Sequence, residues 1–417
     1  MYKNSRPMKI ALAFIAAIGL SSQALVAEDY PKANPAAILR WQDLRFGLFI
    51  HWGPIALKGA EIGWSRGKQV PTEIYDNLYK DFNPTNFNAA EWVSIAKASG
   101  MKYLVLVTKH HDGFCLWDTK FTDHNMMNTP FKRDIVKELS EACKKQSLPF
   151  GVYYSVADWY HPTWPGDRSG KKDPKLYDMD AYEKFLNSQV EELVTKYGPV
   201  LTIWGDLPQS YGRRGASMIR RMRELQPDIL VNNRCGTDGD YTILEQKKGT
   251  FNNTRPWETC ITLGTSWSWR VNDDIKSLAQ CIQTLLNCVG ADANLLLNIG
   301  PMPTGEIEKR QVDRMKEVGA WLAKYGDSIY GTRGGPFLPG NGMVSTHKGN
   351  VVYVHVMNWE KDTLTLTPLD RKIVKSEIMT GGTVDVKQDE KEITISVPAA
   401  SRQEIDTIIK LTLEDKK

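Results

Sequence analysis

The chain has 417 residues, 41 % of them apolar, and 53 basic against 49 acidic side chains give a net charge of +4. The length suits a barrel of roughly 250–300 residues with a smaller module attached, and the apolar share excludes disorder as the default. The balanced charge, with no dense Lys/Arg block, excludes a dedicated nucleic-acid binder.

Residues 1–27 read as an export signal. Lys3, Arg6 and Lys9 precede an apolar run, 10–20, that is too short to span a bilayer. Small residues at Ser22-Gln23-Ala24, or at Ala27, suit cleavage, and Met8 is an alternative start. The segment holds no Cys, so no lipid anchor is expected. No later stretch reaches about 18 consecutive apolar residues, so the mature protein is expected in the periplasm or the medium, without a stable membrane anchor.

From Leu39 to Gly331 short apolar runs alternate with amphipathic ones. Segments 46–50, 103–107, 150–154, 201–204, 229–231 and 295–299 read as buried parallel strands. Asn88 with Glu91 caps a helix that Gly100 ends, and Ile135, Leu139 and Ala142 share one helical face. Asp180 with Glu183 opens another helix, which runs to Gly198. This rhythm predicts an α/β fold, a (β/α)8 TIM-like barrel over 28–337. After Gly334-Gly335-Pro336 the segments 351–356, 363–369, 373–379 and 393–397 alternate or are β-branched, which predicts a C-terminal antiparallel β-sandwich over 338–417 with a packing role. The six cysteines lack CxxC or zinc spacing and read as mostly free and buried.

In such a barrel the reactive groups sit just past the carboxyl ends of the strands. Here those ends carry His51-Trp52-Gly53, Lys109-His110-His111-Asp112, Tyr154 with Asp158-Trp159, Trp204-Gly205-Asp206, and Asn232-Asn233-Arg234. Any one could be a satisfied strand end, but five in register suit a sugar site. Hydroxyls need polar partners, C–H faces stack on aromatics, and glycoside cleavage needs two carboxyl groups. The thirteen Trp and sixteen Tyr fit sugar stacking and core packing alike. The adjacent His110-His111 lacks the His-x-His spacing that places both rings on one side of a strand, so no metal is expected.

Phe46-Gly47-Leu48-Phe49-Ile50-His51-Trp52-Gly53, Lys109-His110-His111-Asp112-Gly113-Phe114 and Leu296-Leu297-Asn298-Ile299-Gly300-Pro301 resemble the signatures of the retaining α-L-fucosidases of glycoside hydrolase family 29. Pro256-Trp257-Glu258-Thr259-Cys260 and Ile329-Tyr330-Gly331-Thr332-Arg333 agree. The resemblance implies a barrel followed by a β-sandwich, a fucosylated glycan as substrate, and no cofactor or metal. It places the nucleophile at Asp206, two residues after Trp204, where both side chains share one side of a strand. The family pattern has an aromatic between them and a Gly after, whereas this chain has Gly205 and Leu207. Glu245 matches the acid/base, on a loop after the strand-five arginine, with Glu258 as runner-up and Glu61 third. His51, His110, His111 and Arg234 are implied to bind hydroxyls, Tyr154 and Trp204 to line the pocket, and Trp267 to pack on the sugar's methyl side. Glu61 and Trp64 stand where the family has an adjacent Glu-Trp pair, here separated by two residues. An α-L-galactosidase and a sugar-binding protein with degraded catalysis are the alternatives. The sequence carries no signal for an oligomeric state.

Overall fold

The computed structural model describes residues 30–166, 172–207 and 214–415. The export signal expected at 1–27 lies outside the described residues.

Eight parallel strands form the central sheet: β1 (Phe46–Ile50), β2 (Tyr103–Lys109), β3 (Phe150–Ser155), β4 (Thr202–Asp206), β5 (Leu230–Val231), β6 (Thr242–Glu245), β7 (Trp257–Thr262) and β8 (Asn294–Ile299). Their order is β5-β4-β3-β2-β1-β8-β7-β6. A single parallel bridge, Asn232 with Tyr241, joins the two outer strands and closes the ring. Most of these strands are buried on both faces because side chains fill the inside and helices cover the outside. Alternation sorts the residues. Phe49, Val105, Tyr153, Trp204 and Leu296 form an interior cluster, whereas Leu48, Leu106, Val152, Tyr154 and Leu297 join the layer under the helices. Gly47 is required here, since a Cβ would lie 2.5 Å from the Tyr103 ring that crosses the interior.

The six expected strands are present within a few residues, and β6 and β7 are additional. Sequence reading missed β6 because it is short and half-exposed, and β7 because it carries Glu258 inward. The outer layer is α1 (Pro35–Leu44), the one-turn α2 (Thr72–Tyr75), α3 (Ala89–Ala98), α4 (Ile135–Lys145), α5 (Met179–Lys196), α6 (Gly215–Leu225), α7 (Leu278–Gly290) and α8 (Lys309–Tyr325). Asn88 caps α3 as expected, accepting from Glu91 N. The expected cap of α5 moves by two residues: Asp178 accepts from the amides of Asp180 and Ala181, and Asp180 lies in the first turn. None of the described helices is long and apolar enough to cross a membrane.

The C-terminal strands are β9 (Arg333–Gly334), β10 (Met343–Lys348), β11 (Val351–Val356), β12 (Thr363–Leu366), β13 (Ile373–Ile378), β14 (Asp385–Gln388), β15 (Ile393–Ser396) and β16 (Thr407–Leu413). Antiparallel sheets of order β13-β16-β11-β10-β9 and β12-β15-β14 enclose one core built on Val352, Val354, Ile393, Ile395, Ile409 and Leu411. Four of these strands match expected segments. β9 pairs with this sheet although it lies ahead of the expected division after Phe337. All six cysteines are buried and unpaired.

Candidate active site

The carboxyl ends of the strands surround a polar cavity of about 400 Å³, lined by side chains from seven of the strands or the loops just after them. A larger hollow, about 1100 Å³, lies where α1, α5 and α6 meet; it is mainly apolar and brings together no cluster of reactive groups.

Asp206 ends β4 at the cavity wall, and three donors hydrogen-bond its carboxylate. Oδ1 accepts from Arg234 Nη1 at 3.0 Å and from the Leu207 amide at 2.9 Å, and Oδ2 accepts from the Tyr153 hydroxyl at 3.0 Å. His111 Nε2 stands 3.6 Å from Oδ2. Arg234, two residues past the closing bridge, also donates from the same Nη1 to Glu245 Oε2 at 2.8 Å. Burial alone would weaken the Arg234 charge, but Asp206 and Glu245 outweigh it and hold the guanidinium above its ordinary pKa. Its charge lies 5.5 Å from the Trp204 ring centroid.

The departure at Gly205 and Leu207 has a local cause. A Cβ at Gly205 would overlap Cys235 Sγ, so the bulk that an aromatic would supply is replaced by a thiol from the neighbouring loop. Leu207 takes φ +53°, the left-handed region that Gly enters without strain. Asp206 still faces the cavity between them.

Burial drives the His51 pKa down to about 3, against the pull of Asn298 and Asp206, so this ring is neutral. His110 is lowered well below its ordinary value by burial and by His111 and His51, and it stacks on Tyr153 with the rings 6° apart. His111 has a fixed proton. Ser155 Oγ donates its one hydrogen to Ala157 O at 2.5 Å, so its contact with His111 Nδ1 at 2.6 Å must be donated by the ring. The other ring nitrogen, Nε2, is the one nearest Asp206.

The structure brings together at the cavity wall Asp206, Glu245, His51, His110, Arg234, Trp204, Trp64 and Trp267, with His111 against Asp206. Trp64 is 38 % exposed at the mouth, edge-on to His111 and Trp159. Glu245 ends β6 rather than lying on a loop, and its side chain is 41 % exposed.

Three further sequence expectations need correction. Tyr154 points outward, donating to Gln189 Oε1 at 2.8 Å beneath Lys109, and its neighbour Tyr153 lines the cavity instead. The register pairs Tyr153 with Trp204, which fixes that parity. Glu258 is 1 % exposed inside the barrel, accepting from the Tyr103 hydroxyl and from Trp204 Nε1 at 2.9 Å. Burial pushes its carboxyl up to about 7. Glu61 turns away to the loop after β7, accepting from Ser266 Oγ at 2.5 Å, Trp267 N at 3.1 Å and Ser268 N at 3.3 Å. It orders the loop that presents Trp267. Sequence reading also passed over Tyr153, Ser155 and Asn298. Strand parity could have found the first, and Asn298 lies within a motif already singled out.

Comparison with known proteins identifies the family. A family model described as Alpha-L-fucosidase matches residues 20–327. The plasma alpha-L-fucosidase of Homo sapiens is 31 % identical over 359 residues, 76 % of each chain. The tissue alpha-L-fucosidase of Homo sapiens is 30 % identical over 422 residues, 89 % of this chain and 87 % of its own. Among solved structures, alpha-L-fucosidase isoenzyme 1 from Paenibacillus thiaminolyticus superposes with a TM-score of 0.84 at 33 % identity, covering 91 % of this chain and 99 % of that one. An alpha-L-fucosidase from Bacteroides thetaiotaomicron, described as a trapped covalent intermediate in complex with 2-fluoro-fucosyl fluoride, has a TM-score of 0.84 at 27 % identity, covering 93 % and 98 %.

Proposed function

Because the chain belongs to the α-L-fucosidase family, glycoside hydrolase family 29, we propose that it removes terminal α-L-fucosyl residues from glycans by double displacement. Asp206 is the nucleophile and Glu245 the acid/base. The observation that carries this reading is the sharing of Arg234 Nη1 by the two carboxylates, at 3.0 and 2.8 Å. Two oxygens on one nitrogen can be no farther apart than those distances end to end. That close approach of their nearest oxygens supports a retaining pair, whose carboxyl groups stand about 5–5.5 Å apart, over an inverting one at about 6.5–9.5 Å.

In the first step Glu245 gives its proton to the glycosidic oxygen while an Asp206 oxygen attacks the anomeric carbon, forming a glycosyl ester and releasing the aglycone. In the second, Glu245 takes a proton from water, whose oxygen displaces Asp206. Arg234 and Tyr153 hold the Asp206 carboxylate in line for both steps. The trapped covalent intermediate described for the Bacteroides relative supports the ester. Neutral His51 and His110 suit sugar hydroxyls, Trp267 suits the methyl side, and a cavity of about 400 Å³ suits one terminal residue. We take residues 28–337 as the catalytic unit and 338–417 as the sandwich, with β9 bridging them. Export by residues 1–27 fits relatives named as plasma fucosidases.

Hydrolysis of chromogenic α-L-fucoside and α-L-galactoside, with the first-formed sugar followed by NMR, tests the reading. Preferred release of α-L-fucose is expected. An inverted first product, or release from neither substrate, overturns it.

A further inference from the structure

We propose that Asn298 is a positioning residue that fixes His51 as the Nδ1–H tautomer, so that Nε2 can only accept a hydrogen bond from a substrate hydroxyl. The inference deepens the fucosidase reading and rests on it for the identity of the substrate, but not for the state of the ring.

Asn298 lies in β8, in register with Phe49 of β1, and its side chain is buried. The two ends of its amide can be told apart by their partners. One end meets the carbonyl oxygen of Trp267 at 2.8 Å. A carbonyl only accepts, so this end is the NH₂. The other end is therefore the oxygen, and it lies 2.6 Å from His51 Nδ1. An amide oxygen also only accepts, so Nδ1 carries the hydrogen. A neutral imidazole has one N–H, which leaves a lone pair on Nε2.

The consequence reaches the substrate. His51 lines the cavity with its ring 4.8 Å from that of Trp267. The same amide thus sets the polarity of one recognition group and anchors the backbone of the aromatic wall beside it. Glu61 holds the Trp267 amide from the other side at 3.1 Å. A fixed acceptor selects a hydroxyl that donates. It rejects a methoxy or fluoro group in the same place, because the buried lone pair is left without a hydrogen. The ionisable groups facing His51 are His110 and His111 after β2, Tyr153 on β3 and Asp206 on β4.

The test is ¹⁵N NMR of the full chain labelled at histidine, with the His51 signals identified by their loss in His51→Gln. A neutral Nδ1–H pattern, unchanged from pH 5 to 8, is expected. In Asn298→Asp the new carboxylate should stabilise the imidazolium and bring His51 into titration within that range. On an α-L-fucoside kcat/KM should fall about tenfold or more, chiefly through KM, with a histidine limb added to the pH profile. An Nε2–H pattern in the unaltered enzyme overturns the inference, as do unchanged His51 signals in Asn298→Asp. If Asn298→Asp does not fold, the spectrum of the unaltered enzyme decides alone. The expected spectrum in an enzyme inactive on α-L-fucosides would sink the substrate assignment and leave this inference standing.

Discussion

The indole of Trp204 donates to Glu258 Oε1 over 2.9 Å, so the floor of the cavity rests on a carboxyl group sealed inside the barrel. Burial raises that carboxyl to about 7, so the folded state holds its proton where the unfolded chain, with an ordinary glutamate near 4.5, has released it. The stability gained is complete below the unfolded value and is lost as pH rises through the folded one, roughly 3 kcal/mol in all. Glu258→Gln copies the protonated acid, with an oxygen for Trp204 and an NH₂ for Tyr103. The variant should be more stable than the parent at pH 7.5 and similar at pH 4.5, with activity within a few-fold. Thermal unfolding of both proteins across that range checks this, and parallel curves would contradict it.

Asp206→Gly should lower turnover on an aryl α-L-fucoside by roughly three orders of magnitude or more, since no other group can form the ester. Added azide should restore part of the rate and give the β-azide. Near-normal turnover in this variant would falsify the nucleophile assignment.

Protonation matters most when the leaving group is poor. Glu245→Ala should therefore be crippled on a fucosyl disaccharide and much less impaired on an activated aryl fucoside during glycosylation. Steady-state and burst kinetics on the two substrates measure the difference. The same pattern in Glu258→Ala but not in Glu245→Ala would exchange their roles.

The two adjacent tyrosines offer a control within one strand. Tyr153→Phe removes a donor from Asp206 Oδ2 and should lower kcat about tenfold with little change in melting temperature. Tyr154→Phe removes the hydroxyl that donates to Gln189 Oε1 under the helices and should cost about 1 kcal/mol of stability with kcat nearly unchanged. Reversed effects would place the wrong tyrosine at the site.

Much of this site was legible because barrel strands carry their chemistry at their carboxyl ends and side chains alternate. Asp206 and Trp204 sit two apart and face the same cavity for that reason. What failed was of two kinds. Tyr154 precedes the strand end and carries a hydroxyl suited to a sugar, but the parity of β3 gives the cavity to Tyr153, the residue in register with Trp204. Glu61 and Glu258 have residue types and motif positions that suit catalysis, and only three-dimensional packing shows their oxygens taken up by Ser266, Trp267 and Ser268 in one case and by Tyr103 and Trp204 in the other. β6 was hidden because four half-exposed residues give no periodicity to read.

The ring of strands has one thin place. Between β5 and β6 the sheet has a single bridge, Asn232 with Tyr241, whereas β4–β5 and β6–β7 share ladders of two and four residue pairs. It is supplemented by the Val231 amide donating to the Asp240 side chain and the Ile243 amide donating to that of Asn233. Asp206 and Arg234 stand on one bank of that seam and Glu245 on the other, so the 2.8 Å contact of Arg234 with Glu245 crosses it. The spacing of the two carboxyls is thus also the width of a gap in the wall. A sugar that engages both banks is a stitch as well as a substrate, tightening the barrel at the place where its own backbone does least.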